Sequence, residues 1–324
     1  MQTFLMPAAN SDPIRATGSH PSAYLIATLQ RAAVLAWLLA ILGVLAHMSS
    51  RGPTLASLVV LWLLLFGHAM VLAAEFALML VVNRHEAIAN PSLREVTRAW
   101  LHECLHAARV FGWLQPFRSH AIPDAECRQQ SRQRGVVLVH GFACNRGVWQ
   151  DWLERLRSLQ VATVAVDLEP PWGPIDAYVD SIERAVAQIE SATGLAPLIV
   201  AHSMGGLAVR RWWQTTSTAR VHRLITLGTP HQGTRLARLG FAPNVRQMRC
   251  GNAWLDALSR SEGAAQVDRM TCFFSTCDNI VLPATHATLA GADNRILSGT
   301  AHVHMVSNPQ PWAEALRQLS PPTD

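Results

Sequence analysis

The chain has 324 residues, of which 50% are hydrophobic and only 15% charged, with a formal net charge of +5 and a mean hydropathy of +0.15. So apolar a composition excludes intrinsic disorder. The basic residues are all arginines, scattered without a run or interleaved aromatics, which excludes a nucleic-acid-binding stripe and suits anionic lipid headgroups instead.

Residues 1–31 are mixed in character and read as a loose arm. Ala32 to Met48 is an uncharged apolar run, Ser49 to Pro53 is a short turn with two helix breakers, and a second uncharged run extends from Leu55 to Ala74, its apolar pattern continuing past Glu75 to Val82. Each run approaches or reaches the length that crosses a bilayer, so residues 32–82 are expected to form a transmembrane helical hairpin in contact with membrane lipids. A cleaved signal peptide fits less well, because the first run begins some thirty residues in and a longer one follows at once. Glu75 reads as the point where the second span meets the interface. Arg15 and Arg31 precede the hairpin, Arg51 lies in its turn, and Arg84, Arg94, Arg98, Arg109 and Arg118 follow it, which by the positive-inside rule puts both ends, and the region after them, in the cytoplasm.

Asn90-Pro91 resembles an N-cap with proline at the first helical position. Leu93, Val96, Trp100, Leu101, Cys104, Leu105 and Ala108 then recur at helical spacing. This amphipathic helix is expected either on the membrane surface or against the domain that follows. It contains His102-Glu103-Cys104-Leu105-His106, an H-E-x-x-H match with Glu126 as a conceivable third ligand. The segment is too short to build a metalloprotease, so the match reads as coincidence and no metal is expected. Residues 118–134 read as a linker.

From Gly135 the grammar changes. Short β-branched runs (Val136–His140, Val161–Asp167, Leu198–His202, Leu224–Leu227, Cys272–Ser275, Arg295–Leu297) alternate with helical patterns (Trp149–Leu159, Ile175–Ala192, Gly205–Thr215, Pro311–Leu319). That alternation predicts an α/β domain over 135–324 with a mostly parallel sheet covered on both faces. Residues 233–268 interrupt the rhythm and are expected to form a cap. The six cysteines lack any CxxC or zinc-ribbon spacing and are expected to be free thiols.

The central chemical signal is Leu198-Ile199-Val200-Ala201-His202-Ser203-Met204-Gly205-Gly206. A buried strand runs into a serine flanked by small residues at minus two and plus two, and a helix follows. So sharp a turn lifts the hydroxyl of Ser203 clear of the sheet, at the positive end of a helix. A nucleophilic serine needs a base and an orienting acid, expected downstream in that fold order as acid and then histidine. Asp278 and His302 each follow a strand, at the sheet edge where Ser203 must sit. Asp256, Asp268 and Asp293 are rival acids in the cap or before a strand, and His304 is the rival base. Val136–Phe142 is a buried strand ending in His140-Gly141, whose turn brings the N–H of Phe142 toward the serine. With the N–H of Met204 it would form an oxyanion hole.

These stretches together, with Gly228-Thr229-Pro230-His231-Gln232-Gly233 and Asp167-Leu168-Glu169-Pro170-Pro171, resemble the bacterial lipases and esterases of the α/β-hydrolase superfamily that carry Ala-His-Ser-Met-Gly-Gly. The resemblance covers residues from about 135 to the C-terminus, departs in having Ala201 for the usual glycine, and does not reach the N-terminal region. It implies a triad of Ser203, Asp278 and His302, an oxyanion hole of Phe142 and Met204, an ester or lipid substrate, no cofactor, and, with the hairpin, a place in a bacterial inner membrane. Acyl transfer or thioester hydrolysis on the same triad is the alternative chemistry, and a catalytically dead membrane-bound interaction module is the non-enzymatic one. A chain starting near Arg118 is expected to be soluble and active.

Overall fold

The computed structural model describes residues 25–125 and 133–319. Most of the loose arm, together with Glu126 and Cys127, lies outside the described residues. The chain opens with α1 (Leu25–Arg51) and α2 (Leu55–Asn83), antiparallel and joined by a short turn, with Thr54 capping α2. Helix α1 begins at Leu25 rather than Ala32, so the last residues assigned to the arm are helical. Both helices are long and apolar enough to cross a membrane by length and composition. Their middle stretches are exposed, with Leu39, Leu42, Phe66 and Val71 each more than half accessible. Burial is confined to the ends: Ile26 and Ala27 of α1, and Leu72, Phe76, Met79 and Val82 near the end of α2.

Helix α3 (Leu93–Arg109) is capped by Ser92, whose side chain accepts from the N–H of Glu95 while the Glu95 carboxylate accepts from Ser92. This capping box corrects the expected Asn90 cap. It also separates two faces of α3 that the apolar pattern had merged. Val96, Ala99, Glu103 and Ala107 are buried, whereas Leu93, Leu101 and Leu105 are exposed. The helix runs through one π turn (Val110–Leu114) into α4 (Gln115–Arg118), where the Nε2–H of Gln30 in α1 donates to Gln115 Oε1 at 2.9 Å. The first part of the expected linker is part of the fold. Asp124 pairs with Arg146 at 2.8 Å, and Ala125 bridges to Thr163.

The domain that follows contains β1 (Val136–Val139), α5 (Gln150–Ser158), β2 (Thr163–Val166), α6 (Val179–Thr193), β3 (Leu198–His202), α7 (Met204–Trp213) and β4 (Arg223–Leu227). The insertion supplies three short helices, α8 (Pro243–Gln247), α9 (Ala253–Arg260) and α10 (Ala264–Val267). Then come β5 (Met270–Ser275), β6 (Asp293–Leu297) and α11 (Pro309–Leu319). The six strands form one parallel sheet in the order β2-β1-β3-β4-β5-β6. Successive strand residues face opposite sides. Val137, Val139, Ile199 and Ala201 pack against α6, α7 and the insertion, while Val136, Leu138, Leu198 and Val200 pack against α5 and α11. Both faces are covered, which explains why these strands read as unbroken apolar runs.

The insertion is fastened to the sheet layer by a buried ion pair. Arg210 of α7 and Glu262, both essentially inaccessible, meet at 2.6 Å, and Arg210 also reaches His231 and Ser259. A third apolar cluster joins Phe76 and Met79 of α2 and Val96 and Ala99 of α3 to Cys277, Leu282 and Ala301. The N-terminal helices therefore pack on the loops after β5 and β6.

Candidate active site

Phe142, Ser203, Asp278 and His302 come from loops at the carboxyl end of the parallel sheet, and Met204 opens α7 at the same edge, where such folds place their chemistry. Ser203 sits between β3 and α7 with φ 55° and ψ −131°, a conformation costly for any residue with a side chain. Two contacts enforce the turn. The N–H of Ser203 donates to Leu227 O at 2.8 Å, and Thr229 Oγ1 donates to Ser203 O at 2.9 Å. Gly205 is packed so closely on the carbonyls of Val139 and His140 that a Cβ has no room. The same crowding appears at Gly141, where a Cβ would lie 2.8 Å from Ser203 Cβ. The turn after β1 is thus pressed against the serine.

His140 explains how that turn is fixed. Its Nε2 accepts from the N–H of Leu168 at 3.1 Å, so its Nδ1 carries the hydrogen donated to Gly141 O at 2.9 Å. Burial pushes the pKa of His140 down despite nearby Asp167, keeping the ring neutral in this two-ended role. The N–H groups of Phe142 and Met204 meet no protein acceptor among the described residues.

Asp278 and His302 are brought together. His302 Nδ1 lies 3.0 and 3.1 Å from the two carboxylate oxygens, and Asp278 is fully buried. Asp278 Oδ1 also accepts from the N–H groups of Ile280 and Val281, both at 2.9 Å, so the acid is fixed before it meets the imidazole. Gly228 (φ 56°) borders the pair, and a Cβ there would stand 3.1 Å from both Asp278 Oδ2 and His302 Nδ1. Burial works against the imidazolium of His302. The charge and hydrogen bond of Asp278, followed by the charges of Glu103 and Glu75, outweigh it and hold the pKa above its ordinary value. Ser203 Oγ and His302 are not linked at hydrogen-bond distance among the described residues, a slack common in unliganded sites.

The backbone of His302 is held from three sides. Its N–H donates to Asn279 Oδ1 at 3.2 Å, and its carbonyl accepts from His202 Nε2 at 3.1 Å. The next two N–H groups, of Val303 and His304, donate to the two oxygens of Glu103 at 2.8 and 3.0 Å. Asn279 in turn donates to Glu75 at 2.7 Å. The sequence had marked both acids for other reasons and missed these contacts. Glu75 reaches Asn279, and Glu103 is engaged by the backbone just after His302.

His102 and His106 do share one face of α3, and His304 joins them, its ring 4.8 and 4.3 Å from theirs. His304 is therefore packed on α3 rather than lining the surface. Burial, helped by His106, His102 and Arg98, pushes its pKa down to about 4. Among the described residues no group of three or more His, Cys, Asp or Glu side chains is arranged to hold a metal ion. The rivals Asp256 and Asp268 fall on or beside the insertion helices, and Asp293 opens β6 and pairs with Arg295. Cys104, Cys144, Cys250, Cys272 and Cys277 are free thiols.

Residues 136–275 match the model of the Alpha/beta hydrolase family. Among solved structures, the mature lipase BlEst2 of Bacillus licheniformis superposes with a TM-score of 0.53 at 16% identity, over 60% of this chain and 95% of its own. Lipase B of Aspergillus fumigatus gives a TM-score of 0.52 at 16% identity, over 77% of this chain and 80% of its own. No curated protein sequence matches the chain. At these identities the likeness is one of fold, and the fold is that of the α/β hydrolases, as the resemblance of the sequence implies.

Proposed function

We propose that this α/β hydrolase is a membrane-bound serine esterase or lipase, with Ser203 as nucleophile, His302 as base and Asp278 as its orienting acid. The observation that carries the reading is the buried Asp278–His302 pair at the sheet edge that also presents Ser203 in a strained strand-to-helix turn. His302 takes the proton of Ser203 Oγ as that oxygen attacks the ester carbonyl. The N–H groups of Phe142 and Met204 hold the resulting oxyanion. Collapse expels the alcohol, protonated by His302, and leaves an acyl-enzyme that water cleaves by the reverse proton path. Besides the ester and water, these steps need no group from outside the chain.

The apolar surface supports a lipid substrate and membrane anchorage. The exposed middles of α1 and α2 form a hairpin whose two ends both pack on the enzyme. Leu93, Leu101 and Leu105 of α3 add a second exposed apolar face. In the insertion, Leu236 packs against the α2–α3 cluster, and Leu239 and Phe241 just beyond are 77% exposed. A hydrophobic acyl chain in a bilayer would meet this side first. The test is labelling of the full-length protein by a fluorophosphonate probe, followed by turnover of p-nitrophenyl esters of graded chain length. Labelling lost in Ser203→Ala with ester turnover supports the reading. Turnover of thioesters alone, or acyl transfer to an alcohol in place of water, would favour the alternative chemistry on the same serine.

A further inference from the structure

Two carboxylates outside the proposed triad converge on the segment that carries His302, and both come from the N-terminal helices. Glu103 lies on the buried stripe of α3, is 1% exposed, and spans two successive N–H groups directly after His302. Glu75 of α2 holds Asn279, and Asn279 holds the N–H of His302 itself.

We propose that Glu103, and Glu75 acting through Asn279, are positioning residues for His302, so that the N-terminal helices are a working part of the catalytic centre. The inference rests on the serine-hydrolase reading above. Geometry supplies the first argument. With the N–H, the carbonyl and the two following N–H groups of His302 all engaged, its backbone has no freedom, and Asp278 then fixes the ring through Nδ1. A misplacement of about 1 Å at such a base can cost on the order of a hundredfold in rate.

Electrostatics supplies the second. The imidazole becomes a cation as it accepts the serine proton, and negative charge nearby lowers that barrier. The groups facing it are Asp278 from the loop after β5, Glu75 from α2, Glu103 from α3 and the neutral ring of His202 from β3. His304, His102, His106 and Arg98 lie beyond Glu103. Burial lifts the pKa of Glu103 to about 7, against the pull of the Val303 N–H, the His302 charge and the His304 N–H. A carboxylate with no purpose beyond filling space would be replaced at lower cost by an apolar residue.

The experiment follows the ring of His302 directly. Full-length protein in detergent micelles carries carbon-13-labelled histidine, and His302→Gln identifies the resonance. In E103Q the titration midpoint of His302 should fall by about half a unit or more, in E75Q by less, and in E103D, which keeps the charge, it should stay near wild type. In parallel, the acid limb of kcat/KM for p-nitrophenyl butyrate should move to lower pH by the same amount, with kcat falling and KM little changed. An unmoved His302 midpoint in folded E103Q and E75Q overturns the proposal, and if E103Q fails to fold, E75Q decides alone. If the midpoint moves while wild type neither hydrolyses esters nor takes the fluorophosphonate, the positioning role stands and the esterase reading falls.

Discussion

The rings of His202 and His302 lie 4.7 Å apart, centroid to centroid, and His202 Nε2–H donates to the carbonyl of His302 at 3.1 Å. The residue just before the proposed nucleophile thus holds the backbone of the proposed base. Burial, with the charges of His302 and His140, drives the pKa of His202 well down, so it stays a neutral donor. His202→Phe keeps the ring and removes the donor. It should lower kcat by about 10- to 100-fold with little change in KM, measured on p-nitrophenyl esters.

Triad members act as a unit, so Ser203→Ala and His302→Ala should each lower kcat by about three orders of magnitude or more. Ser203→Ala should also abolish fluorophosphonate labelling. Asp278→Asn should be milder but severe, because the imidazole loses its orientation and counter-charge. His304→Ala should stay within about tenfold of wild type. Active-site titration of each purified variant checks the order, and full turnover in folded Ser203→Ala would end the nucleophile assignment.

Between about pH 4 and 7, His304 and Glu103 should affect stability in opposite directions. The depressed pKa of His304 means the unfolded chain takes up a proton below 6.5 that the fold refuses, so its contribution is present above pH 6.5 and lost as pH falls toward about 4. The raised pKa of Glu103 works in reverse, with stability lost as pH rises from 4.5 through about 7. Relative to wild type, His304→Asn should therefore lose less thermal stability as pH falls from 6.5 toward about 4. E103Q should lose less as pH rises from 4.5 through about 7. Scanning calorimetry of both variants and wild type in detergent checks the two differences.

Arg210→Met leaves Glu262 buried without its partner. That should cost about 3–5 kcal/mol of stability, and chemical denaturation should reveal it. Replacing both residues by apolar ones, Arg210→Met with Glu262→Leu, should recover much of the loss. If the double variant is worse than the single, the pair contributes more than mutual compensation.

Removal of residues 1–117 should not yield the self-sufficient enzyme that the sequence suggests. It strips Phe76, Met79, Val96 and Ala99 from the cluster with Cys277, Leu282 and Ala301, and takes away Glu75 and Glu103. The shortened chain should lose at least tenfold in kcat/KM and unfold at a lower temperature. Full-length protein should sediment with membranes and require detergent for release. A shortened chain with wild-type turnover would show that these helices only tether.

The sheet and the serine turn were legible because each is a local pattern: a run, a spacing, a small residue where a turn is tight. The meeting of Asp278 and His302 was legible because each follows a strand at the same sheet edge. The role of Glu103 was not, because its partners are at Val303 and His304 and its local pattern points to a metal instead. A signal existed. Val96, Ala99, Glu103 and Ala107 fall on one helical stripe, and an acid in the middle of an apolar stripe asks for a partner. The same holds for Glu75, beside Leu72, Phe76 and Met79. The apolar pattern of α3 hid this stripe because the helix has two apolar faces, and only one of them is buried.

The bond from the N–H of His304 to Glu103 closes a loop of 201 residues. A ribosome therefore delivers Glu103 some two hundred residues before His304. Through that interval the acid waits on a helix already made, and the proposed base is still unwritten. The proposed centre is thus completed only after the helices that hold it, so a chain stopped short of His302 has the serine turn but lacks the proposed base.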